Sequence, residues 1–429
     1  MSEWLTQGVL GVPVEGGLRS ILRTMDEGLR ALRARVAFDG VAFMRGGVTV
    51  VVEGDLIVGV EPYDCELPTD CSVTDLEGTL LPGLIDCHVH LVADGEVGSL
   101  ERAGARPEDE VDAVITRTLS QEAAAGVTTV RDLGDIGYRT LAFRDRLAPG
   151  APRIVASGPP LTVPGGHCHF LGGVVGDLDA ARRLVAEHHD RGVDVIKVMA
   201  SGGMVTAGTD VFGTQFEPGV LGAVVDSAHR LGLAVLGHAH SLAGIRHALN
   251  AGVDGIEHFT GLTTDGICVP DDVLERVAAA DVVVDPTLGF DKEGLAAMPV
   301  PPAGLAESLR QAGLDFATAY AARLEVLARA HAQGVRVVSG SDAGIGPLKR
   351  HGCVVLAVID LLRVGLSPDQ ALATATSSAA VACGVERQTG RLVPGMAADL
   401  LVVDGDLRSD LEALRSPTAV FVRGHDVLE

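Results

Sequence analysis

Two histidines one residue apart, His88 and His90, end a short apolar run that begins after a Pro82–Gly83 turn. Side chains on a strand alternate faces, so both imidazoles point one way with Val89 opposite, a two-toothed clamp for a metal ion. An isolated pair of this kind is more often two surface histidines. Four other stretches change that weighing. Lys197 is flanked by Val195, Ile196, Val198 and Met199, and His238 and His240 close a further apolar run. His258 and Asp342 each stand at the end of another. Most of these residues have an ordinary role open to them. His258 suits a core histidine bonded to backbone, His240 an outer or substrate-facing group, and Asp342, beside Ser341, a helix cap. Lys197 resists such an account, because an unpaired ammonium among apolar neighbours is costly unless it is paired, neutral or modified. Imidazole and carboxylate without thiolate suit hard-to-borderline divalent ions. A carbamate made from Lys197 and carbon dioxide would bring a negative charge and two oxygens able to bridge two ions. Such a pair, roughly 3.5–4 Å apart, polarises a carbonyl and generates hydroxide at neutral pH.

These residues share a position: each closes a near-continuous apolar run just before a glycine or loop signal. The runs are 83–91, 126–134, 153–163, 193–203, 233–241, 253–261, 281–289 and 335–344, and helical stretches lie between them, several stopped by glycine. Strand and helix alternating eight times predict an α/β fold, a (β/α)8 TIM barrel over residues 84–385, whose strands are buried on both faces. In such a barrel the C-terminal rim carries the chemistry.

The two ends of the chain read differently. Residues 32–83 and 386–429 are short runs of period two broken by Gly-Asp and Gly-Gly turns, each too small to bury a core alone. One β-sandwich domain built from both ends, with the barrel inserted, is the expectation. Residues 1–31 form an N-terminal extension, and Leu, Ile and Met at helical spacing over 18–33 predict an amphipathic helix.

Composition limits the partners. The 429-residue chain is 47% hydrophobic with a net charge of -23, which disfavours nucleic acid and anionic membranes but leaves room for a local basic pocket for a carboxylate. Seven scattered cysteines without a CxxC pair predict buried free thiols in a reducing compartment. With neither a signal peptide nor a membrane span in view, the expected location is cytoplasmic.

Taken together, LLPGLIDCHVHL, GVTTVRDLG, PGGHCHF, VIKVMASGG, GHAHS, GIEHFTG, SGSDAG and TGRLVPGMAADLLVVDG resemble the metal-dependent amidohydrolase superfamily. Within it the likeness is to the branch of Xaa-Pro dipeptidases, Xaa-Arg/Lys carboxypeptidases and ochratoxin-type amide hydrolases, and it spans residues 33–425. The resemblance implies that His88, His90 and Asp342 hold one divalent ion, zinc being expected. His238 and His258 would hold the second, with Lys197 as the bridging carbamate. It further implies attack by metal-bound hydroxide, with Asp342 as general base and then acid, and His167 and His240 facing the substrate. A small-molecule amide, such as a dipeptide or N-acyl amino acid, would be cleaved at its C–N bond, and the enzyme could be a homo-oligomer, as relatives often are. Deaminase branches usually lack the strand-four lysine, so Lys197 favours amide hydrolysis. A deaminase or cyclic-amide hydrolase on the same barrel is the alternative, and a non-catalytic binding protein a third. Specificity is expected in loops 162–175, 203–216 and 288–304. The His351–Val358 stretch departs from relatives that carry a glutamate there, so their substrate preferences do not transfer.

Overall fold

The computed structural model describes residues 28–297 and 303–428. The predicted N-terminal helix lies mostly outside them. Its last residues, Arg30–Arg33, are not helical: they open strand β1 (Arg30–Ala37), because Ala31 and Leu32 are both buried and pairing on either side with residues 49–52 and 72–75 overrides a weak helical spacing.

The chain ends build one sheet. Strands β1, β2 (Val48–Glu53), β3 (Leu56–Pro62) and β4 (Ser72–Pro82) come from the N-terminal piece. Strands β13 (Leu400–Val403), β14 (Pro417–Val422) and β15 (His425–Asp426) come from the C-terminal one. Their order is β15-β14-β13-β4-β1-β2-β3, with Leu80 opposite Val402 where the two pieces meet. Hydrogen bonding thus makes one continuous sheet rather than the two facing sheets expected. The sheet closes on its own core: β3 bonds back to residues 395–398, with Ile57 N–H donating to Met396 O at 2.8 Å. Leu32, Val48, Val50, Leu80, Leu400, Val402 and Phe421 share one apolar cluster, so neither piece has a core of its own.

β4 runs almost directly into β5 (Leu84–Val89), the strand that carries His88. Only Gly83 separates them, and it is not part of a Pro-Gly turn but a one-residue break. A side chain at Gly83 would collide with that of Thr128.

Parallel strands follow. β5, β6 (Val127–Asp132) and β7 (Arg153–Ala156) form one sheet. β8 (Ile196–Met199), β9 (Val235–Ser241), β10 (Gly255–Thr263) and β12 (Val283–Asp285) form another, and the short β11 (Gly266–Ile267) adds to it by antiparallel pairing with β10. Backbone hydrogen bonds link them. Leu161 N–H donates to Lys197 O, and Met199 N–H to Leu161 O, at 2.8 and 2.9 Å. Val338 N–H donates to Val284 O at 3.0 Å, and Asp342 N–H to His88 O at 2.7 Å, so the run returns to β5. The eighth expected strand, 335–344, is extended but irregular, with isolated bridges at Val337 and Ala343.

Helices cover the outside, and their caps are those expected from composition. Asp177, Ser241 and Asp315 accept from the backbone at helix starts. Gly192 and Gly252 end two helices in the left-handed conformation. None of the seven cysteines is in a disulfide; Cys87 and Cys168 are buried, whereas Cys268 is exposed, contrary to the expectation that all are buried. Among the described residues no helix is long and apolar enough to cross a membrane.

If the two ends share one core, truncating either must loosen both. Leu80→Ala should destabilise this sheet by about 2–5 kcal/mol, and hydrogen exchange should rise in β13 as well as in β1. Exchange confined to the N-terminal strands would show two independent pieces.

Candidate metal centre

The strand ends bring the expected residues together. His88, His90, Lys197, His238, His258 and Asp342 are all buried, with His167 beside them and His240 half-buried. His88, His90 and Asp342 offer three ligand atoms within 4.8 Å of one another, and His238, His240 and His258 offer three more. The imidazoles form a continuous cluster, with ring centroids 5.3 Å apart for His88 and His258, 4.5 Å for His238 and His258, and 4.6 Å for His167 and His238. His240 stacks on His258 at 4.4 Å, so it belongs to the same group as the two expected ligands of the second ion.

Outer partners fix the rings. His88 Nδ1–H donates to Glu257 Oε2 at 2.7 Å, and His90 Nδ1–H to Gly134 O at 3.2 Å. Each then turns Nε2 toward Asp342 Oδ1, at 3.4 and 3.1 Å. His238 donates Nε2–H to Gly202 O, which leaves Nδ1 as its lone-pair nitrogen. Nδ1 of His258 lies 2.9 Å from Thr287 Oγ1, and Nδ1 of His240 lies 3.0 Å from Thr260 Oγ1. Such partners set tautomer and ring orientation, the task of the outer shell at metal sites.

Burial holds the pKa values of His88, His238, His240 and His258 well below the ordinary imidazole value, aided by neighbouring cationic groups. His167 is brought down to about 3, again chiefly by burial. The rings are therefore neutral, the form that can ligate. Burial likewise lowers Lys197, against the opposing pull of Glu257 and Asp342. Its Nζ has no hydrogen-bond partner, an exception among buried polar groups. An orphaned amine between two histidine clusters, in a set of nitrogen and oxygen donors, fits residues that receive divalent ions.

The backbone is shaped to the same end. His258 and Asp342 adopt left-handed φ values of 67° and 60°, a strain typical of functional positions in residues other than glycine. Asp86 holds one such turn. Its carboxylate accepts from His88 N and Ser341 N at 3.1 and 2.9 Å and from the Ser341 hydroxyl at 2.5 Å. Two glycines make room. A Cβ on Gly203 would collide with the His167 ring, and one on Gly340 with the Asp285 carboxylate.

The cluster forms the floor of a 330 Å³ cavity. The three anticipated loops contribute His167, Met204 and Phe290 to its walls. Residues 305–323 and 345–349 add walls that sequence reasoning did not foresee, among them Leu309, Tyr320, Arg323 and Lys349. It also overlooked the buried Glu257, Asp285 and Arg131. Arg131 approaches Glu257 at 3.5 Å, and His88, Glu257 and Asp285 form a further close set. Each is a charge inside an apolar run, the signal that singled out Lys197, so they were detectable. Arg323, on an ordinary helical face, gave no such signal. His351 takes no part in the cavity; it lies 2.8 Å from Glu122 and 2.9 Å from Ala93 O, bracing the loop after β5.

A buried histidine–carboxylate cluster at the ends of parallel strands defines the class: a candidate metal-assisted hydrolase. Comparison with known proteins agrees. Residues 79–427 match the Amidohydrolase family, and the chain belongs to it. It is 27% identical to ochratoxinase of Aspergillus niger over 378 residues, 80% of this chain and 73% of that protein. It is 26% identical to imidazolonepropionase of Rhizorhabdus wittichii over 411 residues, 88% and 93% of the two chains. A solved structure of a Xaa-Pro dipeptidase with bound methionine aligns with a TM-score of 0.76 at 24% identity, covering 93% of this chain and 99% of that one. The fold neighbours imply a TIM barrel with an additional domain. The protein is a hydrolytic enzyme acting on C–N bonds.

Asp86→Ala would leave two backbone N–H groups and a hydroxyl unsatisfied in the interior. It should lower stability by about 3 kcal/mol, read as a shift in the urea midpoint of the metal-free protein. An unshifted midpoint would remove Asp86 as the support of the Asp342 turn.

Proposed function

We propose that this enzyme is a binuclear metal-dependent amide hydrolase that cleaves dipeptides or N-acyl amino acids. The observation that carries this reading is the buried Lys197 amine, without a hydrogen-bond partner, between two sets of imidazoles. We read the closed run of strands as the (β/α)8 barrel and the outer sheet as the second domain. His88, His90 and Asp342 would hold one cation, and His238 and His258 the other. When bound, two divalent ions, zinc being the expected pair, would supply Lewis acidity toward the scissile carbonyl and make water nucleophilic at neutral pH.

The chain's own groups do the rest. The Lys197 amine, favoured as neutral by burial, adds through nitrogen to the carbon of carbon dioxide and releases one proton. The resulting carbamate carries the charge and the two oxygens that the cluster needs. The Asp342 carboxylate accepts a proton from the attacking water and returns it to the leaving nitrogen. His167 is a neutral imidazole whose Nδ1 has no partner in the protein, and it faces the carbonyl oxygen as a hydrogen-bond donor. His240, at the cavity wall, touches the substrate on the other side. The partner is a small amide, with neither nucleic acid nor membrane required, and the location is cytoplasmic.

The likeness to an imidazolonepropionase favours a second reading, ring opening of a cyclic amide in the same cavity. Ammonia release from ring substrates would instead mark a deaminase.

Two measurements decide between outcomes. Metal per chain and turnover of a dipeptide and N-acyl amino acid library should both collapse in Lys197→Ala; a variant that keeps either would sink the bridging role. His167→Ala should keep its metal while kcat falls about 10²–10³-fold. Equal loss of metal in that variant would place His167 among the ligands instead.

A further inference from the structure

Arg323 lies on the helix Phe316–Ala332, outside every segment that carries the family resemblance. This helix turns Phe316, Ala319, Tyr320 and Arg323 toward the cavity, the spacing of one helical face. Tyr320 is already engaged, since its hydroxyl donates to Asp360. Arg323 is not. Both of its hydrogen bonds use Nη2, to the carbonyls of His258 and Pro286, and it has no carboxylate partner among the described residues.

Three lysine or arginine side chains line this cavity among the described residues, and the other two are committed. Lys349 Nζ donates to the carbonyls of Thr287, Leu288 and Ser341 at 2.8, 2.7 and 2.8 Å. Lys197 stands within the histidine cluster. Of the two outside that cluster, Arg323 alone keeps N–H donors without a partner, and among the described residues no carboxylate lies within ion-pair distance of it. It lies next to the stacked His240 and His258 rings, since it bonds the His258 carbonyl. An anion that meets it is therefore held at one side of the histidine cluster. The flat guanidinium fork matches a carboxylate. Met204, Phe290, Leu305 and Leu309 supply apolar surface in the same cavity.

We propose that Arg323 binds the free carboxylate of the substrate, so that the substrates are amides bearing a carboxylate close to the scissile bond and an apolar side chain. This inference rests on the amide-hydrolase reading and adds to it the residue that sets specificity. It would let a strongly acidic protein take an anionic substrate, because the positive charge is local to the cavity.

The test pairs each acid with its neutral counterpart. Metal-loaded enzyme is assayed on glycyl-methionine, glycyl-phenylalanine and N-acetyl-methionine, and on the C-terminal carboxamide of each. The wild type should prefer the acids by about 10²-fold in kcat/KM. In Arg323→Gln that ratio should fall to near one, and Arg323→Lys should restore part of it. Equilibrium binding of phenylalanine against phenylalaninamide should show the same loss of discrimination without turnover. A merely structural arginine would lower both members of each pair and leave the ratio intact, which overturns the proposal while the hydrolase reading stands. A wild type that hydrolyses the pairs without preferring the acids overturns it too. A metal-loaded wild type that turns over no member of any pair overturns both readings.

Discussion

The molecule depends on one constraint: ionisable groups that would ordinarily be solvated are buried together at the ends of parallel strands. Lys197, Glu257, Asp285, Arg131, Asp342 and the histidine cluster cannot be dispersed into the apolar interior one at a time, because each alone would lack a compensating charge or hydrogen bond. Together they nearly satisfy one another. Glu257 is the link, meeting His88 on one side and Arg131 on the other. The remainder left unmatched by protein groups, an amine and several imidazole lone pairs, is what gives the site its chemical capacity.

Holding this arrangement needs stiff surroundings. Left-handed backbone at His258 and Asp342 turns these residues off the strand direction, and such conformations persist only where the surroundings over-determine them. At Asp342 the Asp86 carboxylate and the Lys349 ammonium do so, while His258 is met by the Thr287 hydroxyl and the Arg323 guanidinium. Asp86 ties β5 to the Ser341 turn, while Lys349 gathers the carbonyls of Thr287, Leu288 and Ser341. The rigid centre lies beneath walls made of loops and one helix, which divides the labour: reactivity from the strand ends, selection from the rim above. Family relatives with different names are compatible with such a division, since the walls can change without disturbing the floor.

The outer sheet serves the same centre indirectly. β4 crosses from that sheet through Gly83 into β5 without a loop, so the strand bearing His88 is anchored at its start by pairing with β13 from the far end of the chain. Chain ends more than three hundred residues apart in sequence thus share an apolar core and steady the strand that carries His88.

What the sequence determined by itself was local and chemical. Apolar runs closed by His88, His90, Lys197, His238, His258 and Asp342 announced a buried polar cluster, because a polar side chain carried inside by such a run loses its water and must find another partner. The alternation of strand and helix followed from period and glycine stops. The same rule would have found Glu257, Asp285 and Arg131 had it been applied to every charge. Tertiary structure decided what periodicity does not encode. The chain ends formed one sheet instead of two, Arg30–Arg33 became strand through pairing, and the eighth strand proved irregular where Asp342 needs a left-handed turn. It also decided that Arg323 looks into the cavity, since which face of an exposed-looking helix meets a ligand depends on how that helix is docked, and docking is a property of distant contacts rather than of neighbouring residues.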